Sequence, residues 1–190
     1  MDRRMEFTDA VAVGKARAGD ADAFRVLVER HSRSLFRLAY RMTGNQQDAE
    51  DVVQESFMRA YKQLHKFDER ASFGTWLYRI AANCSLDLVR SRKRRGDDDT
   101  PPEVVETKAT ADPNPERIAL STEVRERLAA AMEDLSATER TAFVLRHFEG
   151  MCMEEVGRVL ECQPGAAKHS VFRAVQKLRR ALEPVVSPAK

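Results

Sequence analysis

Cysteine is scarce in this sequence of 190 residues. Cys84, Cys152 and Cys162 are odd in number and widely separated, which excludes a disulfide framework and points to a reducing compartment. A metal site would have to recruit Cys152 and Cys162 with His147 or His169, but no Cys-x-x-Cys or His-x-x-x-His spacing supports one, so neither metal nor cofactor is expected. Long apolar runs are missing too. The charged stretch from Met1 to Lys15 has no apolar core of the kind a secretion signal needs, and nothing later is long enough to span a bilayer. The expectation is a cytoplasmic chain without membrane insertion. No phosphate-binding glycine loop is present, and no motif unites a nucleophile, a base and an orienting group, so catalysis is not expected. A dominant charge is also lacking: 32 Lys and Arg oppose 30 Asp and Glu, a formal net charge of +2. Any affinity for nucleic acid must therefore come from local clustering of positive charge.

What is present is helical periodicity. Hydrophobic residues make up 43% of the chain, enough for ordinary cores, and no strand pattern of any length interrupts them. From Ala23 to Met42 the residues Phe24, Leu27, Val28, Leu35, Leu38, Ala39 and Met42 recur at helical spacing, with His31 on the same stripe. Gly44 suits a left-handed C-terminal cap and Asn45 a cap for the next helix. A polar loop from His65 to Ser72 follows that helix. Ser72 then caps a long helix with Phe73, Trp76, Leu77, Ile80, Ala81, Cys84 and Leu88 inward, which runs into the basic tail Arg90 to Arg95. Between Gly96 and Glu116 the composition turns to acids, Thr, Ala and Pro, and such a segment cannot bury a core. The chain reads as all-α: two small helical domains, 1–95 and 117–190, joined by a flexible acidic linker at 96–116.

Three features carry chemistry. The helix from Asp48 to Phe57 turns Ala49, Val52, Val53, Ser56 and Phe57 inward and leaves Asp48, Asp51, Gln54, Glu55 and Arg59 outward, an acidic candidate surface for docking a protein. In the second half, Ser136 to Glu139 form a capping box for a helix that ends at Gly150. Met153 to Leu160, a turn at Glu161 to Gln163, and a helix opening at Pro164 and running to about Leu182 then make a helix-turn-helix. From Lys168 to Arg180 there are five Lys or Arg and no acid. Ala167, Val171, Ala174, Val175 and Leu178 pack inward, leaving Lys168, His169, Phe172, Arg173, Gln176, Lys177, Arg179 and Arg180 for a duplex. The third feature is the basic tail behind Tyr78, Arg79, Asn83 and Asp87, next to a loop containing Phe67 and Ser72. Aromatic and amide groups beside cations suit unpaired bases. Trp76 lies in the apolar stripe and is expected to pack in the core.

Three segments together resemble bacterial sigma factors of the extracytoplasmic-function type, which retain only the second and fourth conserved regions. They are Asp48 to Phe57, Phe73-Gly74-Thr75-Trp76-Leu77-Tyr78-Arg79-Ile80-Ala81-Ala82-Asn83, and Leu135-Ser136 with Gly165 to Arg179. The resemblance spans Ala23 to Leu182. It implies that Asp48, Asp51, Gln54 and Glu55 dock on core RNA polymerase, and that Phe67, Arg70, Ser72, Asn83, Arg90, Arg92 and Lys93 serve the minus-ten promoter element and its opening. It further implies that Lys168, His169, Phe172, Arg173, Lys177, Arg179 and Arg180 serve the minus-thirty-five element, and that an anti-sigma factor holds the chain inactive. One departure stands out. Relatives commonly carry Gly-Thr-Val-Lys-Ser-Arg where this chain has Gly165-Ala166-Ala167-Lys168-His169-Ser170, losing a hydroxyl at Ala166 and a cation at Ser170. The alternative, a stand-alone helix-turn-helix transcriptional regulator, accounts for the second half but leaves the acidic helix and the first basic tail without a role.

Overall fold

The computed structural model describes residues 8–68, 70–95, 124 and 127–186, with backbone only at Lys93 and 184–186. Every regular element among the described residues is helical, and none of the helices is long and apolar enough to cross a membrane. The chain divides into two compact units, 1–99 and 100–190. The expected linker at 96–116 lies outside the described residues.

In the first unit, α1 (Asp9–Arg17), α2 (Ala21–Thr43), α3 (Gln46–Gln63) and α4 (Phe73–Arg95) pack on one another, with a single 3-10 turn at Leu64–Lys66. The stop between α2 and α3 is as read from the sequence. Gly44 adopts φ 71° and donates its N–H to the Tyr40 carbonyl at 2.7 Å, while the Asn45 side chain accepts from Asp48 N–H at 3.0 Å. Ser72 likewise caps α4 by accepting from Thr75 N–H at 3.1 Å. Leu27, Leu35, Leu38 and Met42 of α2 and Leu77 of α4 are fully buried. Each such side chain contributes roughly 1.5 to 3 kcal/mol relative to an exposed one. The sequence reading did not anticipate α1. It buries only Ala12, Val13 and Ala16, and polar ties hold it: Asp9 binds Arg30 and His31, and Arg17 donates to the carbonyls of Leu64 and Phe67.

Asp48 was expected on the outer face of α3, and the fold overturns this. It sits one turn before Val52 at the edge of the apolar stripe, is only 7% exposed, and has Arg92 Nη1 at 2.6 Å from Oδ2. That is a close ion pair, though not a well-directed hydrogen bond. Burial pushes the Asp48 carboxyl above its usual range, against the pull of Arg92. The pair joins the start of α3 to the end of α4.

The second unit contains helical residues 127–133 (α5), α6 (Ala137–His147), α7 (Met153–Val159) and α8 (Pro164–Val186). The capping box of α6 is complete: Glu139 N–H reaches the Ser136 hydroxyl at 3.3 Å and Ser136 N–H reaches Glu139 Oε2 at 2.9 Å. Ala131 and Leu135 meet Ala174 and Leu178 of α8 in a core flanked by Leu128, Met132 and Phe143. The turn between α7 and α8 is tight. Glu161 takes φ 54°, Cys162 N–H returns to the Gly157 carbonyl at 2.9 Å, and a Cβ on Gly157 would lie 2.8 Å from the Cys162 carbonyl oxygen.

Two outcomes follow from this packing. Gly157→Ala should destabilise the second unit by about 1 to 3 kcal/mol, because the obstacle is backbone and cannot swing aside. Urea unfolding followed by circular dichroism should show the loss while fluorescence of the single Trp76, in the first unit, keeps its midpoint. Arg92→Ala should weaken the first unit by about 2 to 4 kcal/mol by stranding a buried carboxylate, and Asp48→Asn added to it should recover part of that loss. A cost of Arg92→Ala within the range of exposed pairs, below about 0.5 kcal/mol, would rule out a structural role for the contact.

Candidate nucleic-acid and protein interfaces

The outward face of α3 retains Asp51 and Gln54, both exposed, and Glu55, which is half-exposed and bound to Arg59 Nε at 2.6 Å. Arg59 lies outward as expected and also stands 3.8 Å from Asp87 of α4. With Asp48 withdrawn, the acidic surface is smaller than the sequence implied. It gains an apolar border: Met58 and Tyr61 are 46% and 53% exposed and line an open groove between α2 and α3 with Phe24, Val28, Phe36 and Val53. The sequence held a signal for this. Gln54, Met58 and Tyr61 fall at i, i+4 and i+7, so two large apolar residues share the face of an exposed amide.

The residues expected to serve unpaired bases do not form one patch. Phe67 is buried, packed on Phe73 at 5.9 Å and Trp76 at 5.2 Å between ring centroids, and is not available for stacking. Its burial follows from the 3-10 turn, which folds the loop back onto α4, and from Arg17, which lies over the ring and holds the backbone carbonyl. Tyr78, expected on a polar face, is also buried, whereas Trp76 packs with the apolar stripe as expected. Arg70 and Ser72 are exposed in the loop, Arg70 beside Asp68 at 3.4 Å and the Ser72 hydroxyl 2.9 Å from that of Thr75. Asn83, Arg90 and Arg94 are exposed along one side of α4. At 1.5 Å per residue, Ser72 and Arg90 stand roughly 27 Å apart. Arg92 faces the other way, into the pair with Asp48, and the Lys93 side chain lies outside the described residues.

Helix α8 matches its expected partition closely. Ala167, Val171, Ala174 and Leu178 are buried, while Lys168, His169, Arg173, Arg179 and Arg180 are exposed and Phe172 is 59% exposed. Ser170 is a correction. It is buried, its hydroxyl donating to the Ala166 carbonyl at 3.1 Å, so a cation missing at this position is not missing from the exposed face. Lys177 is another. It was expected free for a duplex, and its Nζ is 2.7 Å from Oε2 of Glu139, whose Oε1 also lies 3.7 Å from Arg173 Nε. Glu139 is 5% exposed. The hydrogen bond from Lys177 holds its carboxyl below the usual range, against burial and with help from the Ser136 amide. Sequence reasoning assigned Glu139 to the cap and could not see that its other side meets α8.

Among the described residues, no three His, Cys, Asp or Glu are grouped as metal ligands. Cys84 is buried, and burial pushes its thiol up.

Comparison with known proteins addresses both units. Residues 27–95 match the family model for Sigma-70 region 2, and residues 125–178 match that for Sigma-70, region 4. The chain is 34% identical over 187 residues to the RNA polymerase sigma-H factor of Pseudomonas aeruginosa, covering 95% of this chain and 97% of that protein. It is 33% identical over 186 residues to the ECF RNA polymerase sigma factor SigW of Bacillus subtilis, covering 94% and 98%. The solved structure of CnrH in complex with the cytosolic domain of CnrY superposes with a TM-score of 0.68 at 28% identity, over 92% of this chain and 97% of that one. With both regions matched in order, and relatives aligned over nearly the full length of each chain, this protein belongs to the sigma-70 family of RNA polymerase sigma factors, in its extracytoplasmic-function group.

Proposed function

We propose that this sigma factor docks core polymerase through the α3 face of Asp51, Gln54 and Glu55, and that it engages promoters through both units. Region 1–95 serves the minus-ten element with Asn83 and Arg90 of α4 and Arg70 and Ser72 of the loop. Region 117–190 reads the minus-thirty-five element with Lys168, His169, Phe172 and Arg173, while Arg179 and Arg180 bind phosphates. The observation that carries this reading is the partition of α8, where the base-sized and hydrogen-bonding groups lie exposed in the early turns and bare cations in the later ones. An N-terminal approach of a recognition helix to base edges needs that order. The protein acts in the cytoplasm and without catalysis of its own. An anti-sigma factor holds it inactive, a reading supported by the family resemblance and by its likeness to CnrH, which is bound to the cytosolic domain of CnrY.

Transcription of a promoter-fragment library by core polymerase, with and without the protein, tests the function. Transcripts that depend on the protein and share two elements upstream of their starts are expected. Tight operator binding without polymerase and no such transcripts would instead indicate a stand-alone regulator.

Asp51→Lys should weaken association with core polymerase by about 1 to 3 kcal/mol without altering the fold, since the carboxylate is exposed. Unchanged co-purification would remove the docking role from this face. In α8, substitutions at Lys168, His169, Phe172 or Arg173 should change which minus-thirty-five sequences are preferred, at about 1 to 3 kcal/mol per lost base contact. Replacing Arg179 or Arg180 should weaken binding to all sequences alike and flatten the salt dependence by about 0.9 per lost contact. Binding of the holoenzyme across a promoter panel at two salt concentrations separates the two classes. Uniform losses with one common slope would leave α8 as an electrostatic grip alone.

A further inference from the structure

Glu139 is the one buried charged residue among the described residues of the second unit, and it faces the helix assigned to DNA. Its Oε2 holds Lys177 at 2.7 Å and also accepts Ser136 N–H at 2.9 Å, so the carboxylate cannot turn away without opening the cap of α6. Its Oε1 lies 3.7 Å from the Nε of Arg173. Both cations remain within reach of solvent, with 65% of the Arg173 side chain and 47% of the Lys177 side chain exposed. Each therefore stands between a fixed carboxylate and solvent.

We infer that Glu139 is a positioning residue that sets how strictly α8 discriminates between sequences. It holds Lys177 away from phosphates and draws the Nε of Arg173 inward, which orients the end of that side chain for a base. Binding to arbitrary DNA rests on phosphate contacts alone and loses most when a cation is withheld. Binding to the preferred element also has base contacts, and gains from an oriented Arg173. A phosphate can recruit Lys177 only by stranding a buried carboxylate, which is costly. This inference rests on the reading of α8 as the minus-thirty-five helix and adds a residue from a different helix to it.

The test uses the full chain assembled with core polymerase, on duplex fragments carrying either a preferred or a scrambled minus-thirty-five element, over a range of salt. Glu139→Gln keeps the size and an oxygen for Ser136 N–H but removes the charge. For each cation freed it should tighten binding to the scrambled fragment about threefold at low salt and steepen its salt slope by about 0.9. The preference for the intact element should fall accordingly. Added to Arg173→Gln/Lys177→Gln, the same change should have no further effect on preference. An unchanged preference, or an effect that persists in that background, overturns the inference. A second variant keeps the cap intact. Lys177→Gln should flatten the salt slope less than half as much as Arg180→Gln, because Lys177 is already paired, and equal flattening also overturns it. If Arg179→Gln and Arg180→Gln leave the slope untouched, the assignment of DNA binding to α8 fails, and this inference with it.

Discussion

A carboxylate buried in the first turn of a helix needs a cation, and each unit of this chain is organised around one such need. Asp48 is the third residue of α3 after its cap Asn45, and Glu139 is the third residue of α6 after its cap Ser136. The amides and the dipole at a helix start favour an anion there, while removal from water opposes it. In both units the deciding partner comes from the basic helix that follows in sequence, Arg92 of α4 and Lys177 of α8. The balance differs. Glu139 also has the Ser136 amide, and its hydrogen bonds outweigh burial; Asp48 has Asp51 nearby, and burial outweighs Arg92. The Asp48–Arg92 pair joins two helices. Its contribution is alignment, fixing the basic end of α4 against the start of the helix whose outer face carries Asp51.

Cations that look alike in the sequence are thereby given different work. Arg90 and Arg92 are two residues apart, so they point to nearly opposite sides of α4, one to solvent and one to Asp48. Lys177 and Arg180 belong to one run without acids, yet the acid that engages Lys177 is 38 positions earlier in the chain. Charge clustering along a sequence marks a candidate surface. Which members of the cluster are free depends on contacts between helices.

That difference marks what was legible in the sequence. Local signals carried through: Gly44 and Asn45 between α2 and α3, Ser72 at the start of α4, the capping box at Ser136, and Pro164 opening α8 all rest on interactions within four residues. The inward stripe of α8 carried through as well, since one face of a long helix is set by period alone. Failures cluster where a residue at the margin of a stripe meets a distant element. Asp48 was placed outward because nothing near it in sequence anticipates Arg92, and Phe67 was placed in a binding loop because nothing near it anticipates Arg17 and the rings of α4. Helix α1 escaped notice for a related reason. Its three buried residues, Ala12, Val13 and Ala16, are small, and its polar ties reach α2 and the loop after α3.

A chain with a net charge of only +2 must select promoters with few free cations. Counted from sequence, the five cations from Lys168 to Arg180 would correspond to a salt slope of about 4.5 if all bound phosphates. With Lys177 paired, and with Lys168 and Arg173 assigned to base edges, Arg179 and Arg180 remain, and the slope from this helix falls to about 1.8. Such a helix has little hold on arbitrary DNA. On the proposed reading its residence at a promoter depends on base contacts and on the polymerase bound through the other unit, so recognition is confined to the assembled holoenzyme. On that reading two of the acids that offset the cations, Asp48 and Glu139, also set which of them DNA can reach.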